Sequence, residues 1–165
     1  EAFRVGVRET TGAHVVFFSP DGNEDPADIA KVFECLDAGA DIAIASRLMS
    51  GARNEEDDDW LPLRKWVNQA FTWIVNARWN TGAYVTDTIN GFRGIRRESF
   101  ERLRLQSMGF TIEFEMTIRA MKQRIRIVEL PTHEDRRVGG VTKAPSLRTG
   151  IVFIRLLLRE LRDRG

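Results

Sequence analysis

Hydrophobic and polar positions along the chain switch between two periods. Val15-Val16-Phe17-Phe18 is four apolar residues in a row, closed at once by Ser19-Pro20-Asp21-Gly22-Asn23. A β-branched and aromatic run ended by turn residues reads as a short buried strand. Asp21 then sits at a strand's carboxyl end, where open α/β sheets place their ligands. Ahead of it, residues 1–9 read as a helix already under way, ended near Gly12. Behind it, Asp25 is a candidate N-cap, with Pro26 in the first turn of a helix. Ile29, Val32, Phe33 and Leu36 recur at helical spacing, and Gly39 follows the helix end. Ile42-Ala43-Ile44-Ala45 is a second strand, stopped by Ser46-Arg47. Strand, helix, strand predicts a βαβ unit with parallel pairing and a right-handed crossover.

The pattern continues in the same alternation. A helix is predicted from Pro62 to Asn80, with Trp66, Val67, Phe71, Ile74, Val75 and Trp79 as its core stripe. Gly91 and Gly94 flank Phe92-Arg93 ahead of a strand-like run to Ile95, so the backbone is expected to approach something closely there. Helices are expected over 97–103 and 111–123, and a half-exposed strand over 125–130. Arg136 to Lys143 is basic and glycine-rich, a mobile loop by composition. Ser146 to Arg164 is a helix with an apolar stripe bordered by arginines. The chain thus divides into an α/β unit over residues 1–145, with a mostly parallel sheet flanked by helices, and an amphipathic helix over residues 146–165.

Composition narrows the partners. With 165 residues, 42% hydrophobic and 30% charged, the chain can bury the core of one globular unit. A net charge of +1 points to no nucleic acid. Cys35 is the only cysteine, which excludes an internal disulfide and a cysteine zinc site and fits a reducing, cytoplasmic setting. The acidic run from Glu55 to Asp59 reads as a solvated loop before a helix N-terminus. No apolar run has transmembrane length.

Several groups gather at the predicted strand ends. Asp21 and Asn23 are oxygen donors of the kind that hold a hard divalent cation, Mg2+ or Mn2+. Arg47 ends the neighbouring strand and points to the same rim if the sheet is parallel. Asp87, Asn90 and Arg93 surround a glycine turn, and Arg136, Arg137, Thr142 and Lys143 lie on a segment able to close over anions. One carboxylate, one metal and several cations suit a phosphate-bearing substrate. For each residue alone, a surface or structural role remains open. His14 and His133 carry no such pattern.

Ser19-Pro20-Asp21-Gly22-Asn23-Glu24-Asp25-Pro26, Ala45-Ser46-Arg47, Asp87 to Arg93 and Arg137 to Lys143, taken in order, resemble glycosyltransferase family 2. Within it, the resemblance is to the dolichol-phosphate mannose synthase-like branch. It implies the GT-A (Rossmann-like) fold, a nucleotide-sugar donor, a divalent metal, and Asp21 and Asn23 as metal-site residues. Ser19 stands where the family has its first Asp. The family's N-terminal donor-binding segment has no counterpart here, so a portion ahead of Glu1 is expected.

The resemblance implies inverting, metal-dependent transfer of a sugar to an acceptor. A polyprenyl phosphate is mostly dianionic at neutral pH, since its second pKa is near ~6, and needs orientation rather than a base. Arg47, Arg93, Arg137 and Lys143 would supply it. A sugar hydroxyl acceptor would need a base, with Asp87, Glu113 or Glu115 as the carboxylates to consider. The last helix is open to two readings: packing on this unit or on a second copy as a homo-oligomer, or peripheral contact with a membrane. A nucleotidyltransferase and a non-catalytic glycosyltransferase-like binding domain are the rival functions.

Overall fold

The computed structural model describes residues 2–19, 22–54, 63–135 and 146–163. The first helix, α1 (Ala2–Glu9), stacks Phe3 on Phe17 of strand β1 (His14–Phe17), with the ring centroids 3.9 Å apart. Helix α2 (Asp28–Asp37) and strand β2 (Ile42–Ser46) follow. Asp25 does bond a backbone amide, that of Ala27 at 2.9 Å, but it caps a turn that precedes the helix. Next come α3 (Leu63–Trp79), β3 (Arg93–Arg96), α4 (Arg97–Leu103), α5 (Ile112–Lys122), β4 (Ile127–Pro131) and α6 (Ser146–Arg162). The α/β class and these elements match the pattern of apolar positions.

The strand order is β1-β3-β2-β4. β1 and β2 run the same way, but they do not pair with each other as the βαβ expectation required. β3 lies between them and is antiparallel to both, while β2 and β4 are parallel. Three strands therefore share a direction and one opposes it. The reversal has a consequence for the site. Arg93, the first residue of β3, is level with Phe17 and Ile44, so the loop before β3 reaches the same edge as the ends of β1, β2 and β4.

Gly94 explains why β3 fits there. A Cβ on Gly94 would fall on Val32 Cγ1 and lie 2.9 Å from Leu36 Cδ1. The close approach foreseen around this glycine is thus to helix α2, not to a substrate. Val32, Leu36, Ala43, Ala45 and Phe92 are buried on that face of the sheet. The other face carries the larger core, in which Ile42, Ile44, Ile95, Phe114, Met116 and Ile118 are fully enclosed.

The predicted core stripe of α3 is only half correct. Val75 is buried and Phe71 and Trp79 pack on the core, but Trp66 and Val67 are 52% and 48% exposed. The helix has two apolar faces. Phe71, Thr72, Val75 and Trp79 face inward, while Leu63, Trp66, Val67 and Trp73 follow three- and four-residue steps around the opposite side. Periodicity locates an apolar face without saying which of two is covered.

Candidate active site

At the strand-end rim, four segments are stitched together by backbone bonds. Ala45 N donates to Phe92 O, Thr132 N to Ser46 O and Asp135 N to Asn23 O. Glu24 and Glu134 form an antiparallel bridge, and Arg53 and His133 a parallel one. The loop after β1 and the segment after β4 are thereby held side by side.

Arg47, just past β2, is the central charge. Its Nε donates to Asp87 Oδ2 at 2.8 Å, its Nη2 to Asp87 Oδ1 at 3.2 Å and its Nη1 to Glu134 Oε2 at 3.4 Å. Burial pulls its pKa down, but the Asp87 and Glu134 carboxylates outweigh burial and hold it above the ordinary arginine value. Asp87 also accepts from Ile89 N and Asn90 N. Burial would raise its pKa, yet the Arg47 charge and these bonds hold it below the usual carboxylate value. A carboxylate 1% exposed and surrounded by donors is a poor proton acceptor. The geometry makes Asp87 the group that aims Arg47, in place of the base expected of it.

Three further candidates are placed away from an open rim position. Arg93 is fully buried, with Nε donating to Asn90 O at 2.8 Å and Nη1 to Glu113 O and Thr117 Oγ1, each at 3.0 Å. Its pKa is pulled down to about 10 by burial, with Glu113 and Asp87 opposing. It staples the rim loop to α5 and offers nothing to a substrate. Asn90 is 5% exposed and spends its side chain on Ala45 O and Phe92 N. Glu115 likewise belongs to an ion cluster between α5 and α6, not to the rim.

Asn23 and Glu113 remain available. Asn23 is 4% exposed, donates from Nδ2 to Glu134 Oε1 at 2.9 Å, and keeps Oδ1 buried with no partner. Glu113, half-buried at the start of α5, has Oε2 unpartnered and Oε1 close to Gly91. Burial raises its carboxyl pKa, and the nearby Arg93 charge only partly offsets this. An unsatisfied buried acceptor costs on the order of 1–3 kcal/mol. Asn23 Oδ1 is therefore a fit place for a cation, which would supply the missing partner. Among the described residues, no three His, Cys, Asp or Glu side chains form a metal cluster.

Asp21, Arg136, Arg137, Thr142, Lys143 and the acidic run lie outside the described residues. Two groups in the rim were not foreseen. Glu134 joins Asn23 to Arg47, and Glu129 accepts from Thr86 N at 2.7 Å and Asp87 N at 2.9 Å. Strand alternation alone sends Glu129 to solvent. Only the fold shows that the Thr86–Asp87 loop lies over it.

No family model matches the chain. It is 31% identical over 132 residues to a polyprenol monophosphomannose synthase of Mycolicibacterium smegmatis, covering 78% of this chain and 48% of that protein. It is 27% identical over 160 residues to a dolichol-phosphate mannosyltransferase of Pyrococcus furiosus, covering 97% and 44%. An undecaprenyl-phosphate mannosyltransferase of Micrococcus luteus is 28% identical over 129 residues, covering 76% and 51%. The chain spans about half the length of these curated relatives.

Proposed function

We propose that the chain, which is similar in sequence to polyprenyl-phosphate mannosyltransferases and has an α/β fold of GT-A type, is a glycosyltransferase of family 2 that takes part in metal-dependent transfer of a sugar from a nucleotide-sugar to a polyprenyl phosphate. One observation carries this reading. Asn23, Arg47 and Asp87, from three separate segments, meet at one sheet edge, Glu134 joining Asn23 to Arg47 and Arg47 in turn bonding Asp87. The names of the relatives support the acceptor class.

In this reading Asp21 and Asn23 hold Mg2+ or Mn2+, and the cation supplies charge neutralisation for the leaving diphosphate. Arg47, held charged and aimed by two carboxylates, binds phosphate oxygens. Arg137, Thr142 and Lys143 add contacts to the anionic substrate. A phosphate acceptor needs no general base. Glu113, with its raised pKa and free oxygen, is the group suited to that task if the acceptor is a hydroxyl.

Contact with a membrane surface belongs to the same proposal. Among the described residues no helix is long and apolar enough to cross a membrane. α6 packs inward through Phe153 and Leu156, which supports its docking on this domain, yet Ile151, Ile154, Leu158 and Leu161 face out beside Arg155 and Arg162. α3 turns Trp66 and Trp73 outward, and its sequence holds no acid. Tryptophan and arginine around an apolar face suit an anionic lipid interface.

The test is transfer of labelled sugar from a panel of nucleotide-sugars to polyprenyl phosphate with Mn2+, using the intact protein. A lipid-linked product is expected, lost in Asp21→Asn without loss of folding. An Asp21→Asn protein as active as its parent would overturn the reading. Pyrophosphate release from nucleoside triphosphates would favour a nucleotidyltransferase instead.

A further inference from the structure

We propose that Glu134 is a positioning residue that turns the Asn23 amide so that its oxygen, not its nitrogen, faces the divalent cation. This rests on the metal-dependent reading above. A carboxamide has two ends of nearly equal shape and opposite chemistry: an oxygen that can ligate a hard cation and an NH2 that repels it. Nothing within Asn23 decides which end points where. Glu134 does decide, because a carboxylate only accepts hydrogen bonds, so Nδ2 must face it, as it does at 2.9 Å. Oδ1 is then directed elsewhere, buried and without a partner.

The carboxylate is itself held in place. Its other oxygen takes the Arg47 Nη1 hydrogen, and Arg47 is clamped by Asp87. Backbone bonds fix both ends of the contact, since Asp135 N donates to Asn23 O and Glu134 N to Arg53 O. Orientation therefore passes from Asp87 through Arg47 and Glu134 to Asn23. The cation site and the phosphate-binding arginine share one carboxylate between them. Partners that orient a ligand in this way typically contribute 10- to 100-fold to metal affinity.

The experiment is a Mn2+ titration of the full chain with nucleoside diphosphate present, followed by the EPR signal of free Mn2+. Glu134→Gln can donate to Asn23 Oδ1 and so lets the amide turn over; Mn2+ binding is expected to weaken about tenfold or more. Adding Asn23→Asp to Glu134→Gln makes both ends oxygen and is expected to restore most of the loss. Glu134→Gln binding within twofold of the parent overturns the proposal. So does a double variant no tighter than Glu134→Gln, which would mark the loss as structural. A parent that binds no Mn2+ at all sinks the metal-dependent reading itself. In the parent, NMR gives a check that needs no substitution. The Asn23 side-chain NH2 protons should stay protected from exchange when Mg2+ is added, and loss of that protection counts against the assignment.

Discussion

Two buried ion clusters lie in this small domain, and they are built to opposite plans. Between α5 and α6, Glu115 and Glu160 face Arg119, Lys122 and Arg159, three cations for two carboxylates. Every carboxylate oxygen there has a partner, and Glu115 also accepts from Gln106 N and Ser107 N. At the rim, among the described residues, the Arg47 guanidinium bonds Asp87 and Glu134, and Glu129 accepts from the Asp87 amide. Among the described residues, the buried side-chain oxygens without a partner, Asn23 Oδ1 and Glu113 Oε2, are at or beside the rim, whereas the unmatched buried atom of the helix cluster is a donor, Arg159 Nε. A cluster whose carboxylate oxygens are all matched holds helices together. Unmatched acceptor oxygens are a place where something else completes the set.

The sharpest way to break this contrast is to remove one negative charge from each cluster. Asp87→Asn should lower sugar transfer by about 10²- to 10³-fold, because Arg47 loses the group that aims it at developing charge. Glu115→Gln should leave the kcat of the folded protein unchanged and lower unfolding free energy by about 3 kcal/mol, since Arg119 and Arg159 keep Glu160 but lose the Glu115 charge, and the Gln106 and Ser107 amides then meet an NH2 as well as an oxygen. Steady-state kinetics and urea denaturation on both variants decide it. If Glu115→Gln lost activity at full stability, the division of labour would be wrong.

A second, smaller effect is in pH. Glu113 has its folded pKa raised by burial. The native state then binds its proton more tightly than the unfolded chain, whose carboxyl titrates near ~4.3. Stability therefore falls as pH rises from there through the raised value. Asp87 has the opposite sign: its lowered pKa adds stability above the unfolded value that is lost as pH falls through the folded one. Glu113→Gln should remove part of the fall on the rising side, leaving the share due to Glu129, which burial also raises. Unfolding free energies between about pH 4 and 7 check this. A variant whose curve ran parallel to its parent's would show that Glu113 is not held protonated longer in the fold.

Much of the rim was readable because strands announce their ends. The run at Val15 to Phe18 and the stop at Ser46-Arg47 placed two segments correctly, and a turn rich in Asp, Asn and Gly placed the third. What could not be read was which way each polar side chain turns. Arg47 and Arg93 look alike in sequence, yet one has carboxylate partners at the rim and the other is spent on carbonyls in the core. The two glycines beside Arg93 look alike too. Gly94 is required by Val32 and Leu36, whereas a Cβ on Gly91 would meet Glu113 Oε1 at an ordinary contact distance of 3.6 Å. Strand order was hidden for a related reason. A four-residue segment such as Arg93–Arg96 carries no direction in its composition, so its insertion between β1 and β2 emerges only from packing.

The smallest expected effect tests how closed the helix cluster is. Lys122 Nζ donates to Glu160 Oε2 at 2.9 Å and to the carbonyls of Glu160 and Asp163, at the end of α6, where a helix offers its carbonyls to outside donors. It also lies 5.6 Å from the Trp79 ring, so one ammonium ties α6, α5 and α3 together. Lys122→Met keeps the packing stem and removes the charge. Glu160 Oε1 would still be held by Arg119 and Arg159, so the carboxylate is not abandoned. The loss should be about 1.5–2 kcal/mol, the low end of the range for hydrogen bonds to a charged group, and smaller than for Glu115→Gln. Amide exchange should quicken in the last turn of α6 while α5 stays protected. Exchange spreading through α5 would mean that Lys122, rather than the Glu115–Arg119–Glu160 set, carries the clamp.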